Sequence, residues 1–235
     1  MRVSLQPLAR VVDGRLAAEG ADVSLWCGEV AWRCRDALLA ARVLAAEPIA
    51  LPAAEPSEPV PSALARLVAA LRGQRALLLL LQPSIALGVE RIGLAEGVRL
   101  FAIADERDVP CWDRALTLGL PVYGVRGAVV CDLLRPTPEN LLSALGYGAF
   151  RCAEGLIPIE LAEDPTGVRW RLSESGEAAV IVRGGFEAQR QRGVAGEWRD
   201  GGGEGYVRIE ITTPKGRCWT QPRFIAPRRG GDHGG

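Results

Sequence analysis

The stretch Arg75-Ala-Leu-Leu-Leu-Leu-Leu-Gln-Pro-Ser84 decides how the rest of the chain is read. Six apolar residues run unbroken from Ala76 to Leu81 and stop at Gln82-Pro83. A bilayer crossing needs about 20 apolar residues, so this run is too short to be one. It does not alternate, so both of its faces must be covered. That is the pattern of a central strand in a parallel sheet or barrel flanked by helices. Pro83 has no N–H and ends the ladder. The C-terminal end of such a strand is where an α/β enzyme places its chemistry. Here that place holds Gln82, an amide that does not titrate.

Upstream, Leu8, Val11, Val12, Leu16 and Ala17 recur at three- and four-residue steps, which predicts a helix over 5–20 stopped by Gly20. A short strand over 21–26 enters Cys27-Gly28. A second helix is expected over 30–41, with Trp32, Leu38 and Leu39 facing the core. Val43-Leu44 starts another strand that ends near Glu47-Pro48. Helix and strand in alternation imply a parallel α/β layer. Residues 48–61 carry five prolines and read as an extended loop. Ser62 is placed to cap a helix over 63–72, which Gly73 ends. Downstream come a strand over 97–104, a short helix over 113–118, a strand over 122–130 and a helix started by Thr137-Pro-Glu.

After about residue 155 the rhythm changes. Segments 157–162, 168–172, 178–183, 206–212 and 218–221 alternate apolar and polar residues between glycine- or proline-bearing turns. Alternation means sheets wet on one face, here a small antiparallel sandwich. Residues 193–205 read as a glycine-rich hairpin loop. No helix follows it, so it is no phosphate cradle.

Composition narrows the function. The 235 residues carry 28 Lys+Arg and 28 Asp+Glu, a net charge of zero. No basic field exists for a nucleic-acid backbone or an anionic membrane, and neither is expected as a partner. The first dozen residues show no signal-peptide pattern, and a cytoplasmic location is expected. Six cysteines, at 27, 34, 111, 131, 152 and 218, are scattered without a Cys-x-x-Cys pair. Buried free thiols fit better than disulfides or zinc. The one histidine, His233, lies in the glycine-rich tail 228–235, which is expected to be disordered. The body of the chain therefore has no imidazole for a Ser/His or Cys/His couple or for a zinc or iron site.

Trp112-Asp113-x-x-Leu116-x-x-Gly119-x-x-Val122-x-Gly124-Val125 is similar to a late-barrel segment of the PHP (polymerase and histidinol phosphatase) superfamily. Thr137-Pro-Glu-x-x-x-x-Ala144-Leu-x-x-Gly148-x-Phe150 continues the likeness. Gly205-Tyr-Val-Arg-Ile-Glu-Ile-Thr212 and Trp219-Thr-Gln-Pro222 resemble the last strands of the β-sandwich that one branch carries after its barrel. The resemblance implies an α/β fold: an incomplete PHP-like (β/α)7-type barrel over 1–154, then a β-sandwich over 155–227.

Active members of that family hold two or three metal ions with His, Asp and Glu from strand ends and hydrolyse phosphoesters. Such ions lower the pKa of a bridging water and neutralise phosphoryl charge. Carried over by residue, the opening His-x-His strand has no counterpart. The Thr-Asp-His motif falls on Trp26-Cys27-Gly28. The bridging glutamate falls on Glu47, and the His-Pro motif on Gln82-Pro83. The late Asp-x-His motif falls on Ala128-Val129-Val130. Glu47 is thus the relic ligand position, and Cys27, Gly28, Gln82, Ala128 and Val130 are lost ones. One carboxylate cannot hold a divalent cluster.

The expectation is a catalytically inactive PHP-like protein that binds a protein or small-molecule partner or acts as a scaffold, with no cofactor and no metal. The missing strand suggests a homodimer. The alternative is a metal-dependent phosphoesterase with an atypical carboxylate and cysteine site. Four further features carry an alternative. Cys27 ends a strand where a nucleophile could be displayed, but a packed thiol fits better. Asp105, Glu106 and Asp108 could bind Mg²⁺ or form a charged loop face. Trp112-Asp113 reads as packing. Arg126 and Arg151, near strand ends, could hold an anion. An open pocket at the barrel mouth, or one plugged by Trp26, Gln82 and Val130, would separate the two functions.

Overall fold

The computed structural model describes residues 2–5, 15–19, 23–155, 159–164 and 166–225. The tail with His233 lies outside them. The chain divides into two compact units, Met1–Cys152 and Ala153–Gly235.

In the first unit the strands are β1 (Arg2–Leu5), β2 (Arg15–Glu19), β3 (Val23–Arg33), β4 (Leu38–Ala45), β5 (Ala76–Leu80), β6 (Leu100–Ala102), β7 (Tyr123–Val125), β8 (Ala128–Asp132) and the start of β9 (Arg151–Gly155). They lie in the order β9-β8-β1-β2-β3-β4-β5-β6-β7. The helices are α1 (Val60–Leu71), α2 (Pro83–Ala86), α3 (Gly88–Arg91), α4 (Asp108–Thr117) and α5 (Pro138–Gly146).

This corrects the expected fold. The described residues form fifteen strands and five α-helices and contain no closed barrel. From β8 through β5 the described strands pair antiparallel, and only β5-β6 and β6-β7 are parallel. The expected helix over 5–20 is replaced, where described, by the end of β1 and by β2. The expected helix over 30–41 is replaced by β3 and β4, joined by a tight turn. There Val30, Trp32 and Cys34 are buried while Ala31 and Arg33 are exposed, a two-residue period. Leu39, Ala41 and Val43 repeat it on β4. Leu38, expected inside, is 47% exposed. The short apolar repeats fitted either period, and cross-strand pairing of β3 with β4 over eight registers decided for strand.

The opening stretch does form a strand, and Leu78, Leu79 and Leu80 are buried. Its neighbours are mixed: β4 is antiparallel to it and β6 parallel. Chain direction leaves no trace in an all-apolar run, so the sequence could not show this. Helix α1 forms as expected but starts earlier. Its first turn is capped by Asp36, whose Oδ1 accepts from Val60 N at 2.8 Å, and not by Ser62. Helix α5 is capped as expected, with Thr137 Oγ1 accepting from Asn140 N at 3.2 Å.

The second unit contains β10 (Ile159–Asp164), β11 (Gly167–Val182), β12 (Phe186–Arg199), β13 (Tyr206–Thr213), β14 (Gly216–Thr220) and β15 (Arg223–Phe224). Among the described residues they pair antiparallel throughout. A small antiparallel sandwich was expected. The segments expected at 168–172 and 178–183 are one 16-residue strand, β11, shared by β10, β12 and β13. A register shift between Arg171 and Gly176 lets it serve β10 with its first half and β13 with its second. Trp170, Leu172, Val180, Trp198, Ile209 and Ile211 form the core. Residues 193–199, read as loop, belong to β12. Gly196 is there because a Cβ would meet the Trp170 ring at 2.3 Å.

Candidate functional site

The positions carried over from the metal motif are spread through the first unit. Cys27 is buried in β3 opposite Leu44. Burial pushes its thiol up, Arg42 opposes this, and Glu29 adds to it. A thiol held protonated is a poor nucleophile. At Gly28 a Cβ would meet the Trp26 ring at 2.4 Å, so the glycine lets that indole fold across the strand.

Glu47 is exposed, two residues beyond the end of β4. Gln82 is exposed at the far end of β5 with a left-handed backbone, φ 48°. Ala45 pairs with Ala76 at the start of β5, whereas Leu81 N donates to Ala40 O. Glu47 and Gln82 therefore flank opposite ends of the strand pair, and the five steps from Ala40 to Ala45 alone span roughly 17 Å. Trp26, paired with Ala45, belongs to the Glu47 end. Ala128 and Val130 are half-buried on β8, five strand positions from β5 in the sheet order. Trp26, Gln82 and Val130 are thus not gathered as the plug of one mouth. Among the described residues no group of three His, Cys, Asp or Glu is placed to hold a metal ion.

At the C-terminal ends of β5 and β6 the three acids part company. Asp105 pairs with Arg107 at 2.7 Å, and that contact holds its carboxyl below the usual range. Glu106 pairs with Arg126 at 2.9 Å. Asp108 turns inward and is 1% exposed. Its Oδ1 accepts from Ser84 Oγ at 2.6 Å and Ser84 N at 3.2 Å. Its Oδ2 accepts from Ala104 N at 3.2 Å and Asp105 N at 3.4 Å. One carboxylate thus ties the chain leaving β5 to the chain leaving β6. Gln82 joins in through its carbonyl, which accepts from Ile85 N and Ala86 N and starts α2. Arg151 pairs with Asp132 at 3.0 Å, so both arginines considered for an anion already face carboxylates.

The N-terminal ends of β5 and β6 differ. Between them and α5 lies a groove of about 530 Å³ lined by Arg75, Arg99, Asn140, Ser143 and Tyr147, among others. Arg75 immediately precedes β5 and Arg99 immediately precedes β6. Glu139 also lines it, and its carboxylate is held low first by its own backbone N–H and by Thr137, and after these by the charge of Arg75. The sequence reading missed this groove. The available signal was an arginine directly ahead of each of two apolar strands.

No family model matches this chain, and no curated protein and no solved structure matches it either. The PHP-like residues can therefore be judged only by what they do here. Trp112 Nε1 donates to Val122 O at 3.1 Å. A Cβ on Gly124 would meet the Trp112 ring at 2.7 Å, and one on Gly148 the Tyr123 ring at 2.3 Å. Phe150 stands edge-on to Tyr123, with centroids 6.4 Å apart. Trp112, Val122, Gly124, Gly148 and Phe150 are thus one packing unit around β7, and these five are among the residues that carry the resemblance.

Proposed function

We propose that this chain is a non-catalytic binding or scaffolding protein, and that its likeness to PHP proteins reflects kinship through the packing unit around β7. One observation carries the reading. The one buried acid at the C-terminal ends of β5 and β6, among the three that follow β6, is committed to four hydrogen bonds within the fold. A catalytic carboxylate has to face a substrate, and Asp108 faces Ser84, Ala104 and Asp105 instead. The separation of Glu47 from Gln82 supports the same reading. A cytoplasmic location fits six buried cysteines of which none forms a disulfide. Among the described residues no helix is long and apolar enough to cross a membrane.

The test is metal analysis of purified protein together with turnover of generic phosphoesters in Mn²⁺, Mg²⁺, Zn²⁺ and Fe²⁺. The reading expects less than stoichiometric metal and no hydrolysis above background. Hydrolysis abolished by Glu47→Ala would overturn it and restore the phosphoesterase alternative.

A further inference from the structure

Deepening the non-catalytic reading, on which it rests, we propose that the groove at the N-terminal ends of β5 and β6 binds a small organic oxyanion. The ligand would carry a phosphate or carboxylate group on an apolar or aromatic body. Three observations carry this.

The first is shape. About 530 Å³ lies within the roughly 300–1,000 Å³ typical of small-molecule sites. The second is charge. Arg75 and Arg99 line the groove against one glutamate, and neither guanidinium makes a hydrogen bond or ion pair among the described residues. Arg66, Arg91, Arg107, Arg126 and Arg151 are each held by a carboxylate. Arg75 and Arg99 share their exposure with others such as Arg72 and Arg114, and what sets them apart is that both line one groove. A guanidinium presents a planar fork of N–H donors and no acceptor, which matches phosphate and carboxylate. One amide N–H of Gln74 and one of Asn140 are already spent on Ala70 O and Arg135 O. The two guanidinium groups are the charged donors of the groove, with the Ser143 and Tyr147 hydroxyls as neutral ones.

The third is the apolar wall. Leu77 and Leu142 line the same groove, and Tyr147 beside them is 79% exposed. An aromatic ring left open next to two cations suits a ligand with a flat body and an anionic end better than it suits a bare ion.

The test uses the whole chain and four probes: phenyl phosphate, benzoate, inorganic phosphate and phenol, titrated by calorimetry. Phenyl phosphate or benzoate should bind at least tenfold more tightly than phenol and than inorganic phosphate. Whichever of the two binds more tightly assigns the anionic group. Arg75→Ala and Arg99→Ala should each weaken that binding tenfold or more with an unchanged circular dichroism spectrum. Arg107→Ala, at the other end of the strands, should leave it unchanged. Equal binding of phenol, no binding of either organic anion, or full binding by both groove variants would overturn the proposal. Release of phenol from phenyl phosphate is a separate readout. It would defeat the non-catalytic reading, whereas absence of binding without release defeats the groove alone.

Discussion

The two ends of β5 and β6 are built from the same kinds of residue and used oppositely. At the C-terminal ends, Arg107 and Arg126 are paired with Asp105 and Glu106, and Asp108 is buried in backbone bonds. At the N-terminal ends, Arg75 and Arg99 stand in an open groove beside a tyrosine. A charged side chain contributes stability when its partners are fixed and is free to recruit a ligand when they are not. In a parallel α/β layer the C-terminal end is the customary place for a ligand. Here the polar groups at that end hold the chain together, and the groove with uncommitted cations lies at the other.

The largest effect should come from Asp108→Ala. It removes a buried carboxylate and leaves the half-buried N–H groups of Ser84 and Asp105 and the Ser84 hydroxyl without their acceptor. An unsatisfied donor costs about 1–3 kcal/mol when buried and less where water reaches it, as at the exposed Ala104. We expect the first unit to lose at least about 3 kcal/mol in urea denaturation. A near-neutral result would mean that Asp108 is not a structural tie, and the comparison would fail at its closed end.

Next is Gly124→Ala. The added Cβ would sit 2.7 Å from the Trp112 ring. Overpacking of this kind costs typically 1–3 kcal/mol. The loss should be smaller in a Gly124→Ala/Trp112→Phe double variant than the sum of the single losses, which a denaturation cycle would show. Additivity would separate the glycine from the indole and remove the packing account of the PHP-like spacing.

The smallest effect concerns a more exposed carboxylate. Asp36 accepts from Val60 N and pairs with Arg91 at 2.8 Å. The Val60 N–H first, and Arg91 after it, hold its pKa below the usual value. A depressed folded pKa gives stability that is present above the ordinary carboxylate range and lost as pH falls through the folded value. Asp36→Asn should therefore lower stability slightly at neutral pH, flatten the profile between about pH 5 and pH 3, and leave stability at lower pH little changed. An unchanged acid limb would remove Asp36 from the charges that hold this fold.

The sequence showed some of this and hid the rest for physical reasons. The strand 76–80, helices α1 and α5 and the Thr137 cap were legible because each depends on neighbouring residues. The alternating strands of the second unit were legible in the same way, except β12, whose glycines, among them Gly196 against the Trp170 ring, disguised a strand. Strands β3 and β4 were misread because a few apolar residues fit a helical or a strand period equally well. Mixed strand direction could not be read from a featureless apolar run. The tie at Asp108 joins residues 24 positions apart through one carboxylate, with no local signal. The groove arginines were visible as residues, but their lack of partners is a property of the folded chain.

The most direct measurement is hydrogen exchange on the full chain with and without saturating phenyl phosphate. The account predicts added protection at residues 74–77, 99 and 139–147, with residues 82–84 and 104–108 unchanged. Protection concentrated at 82–84 and 104–108 would place the site at the C-terminal ends of the strands and contradict it.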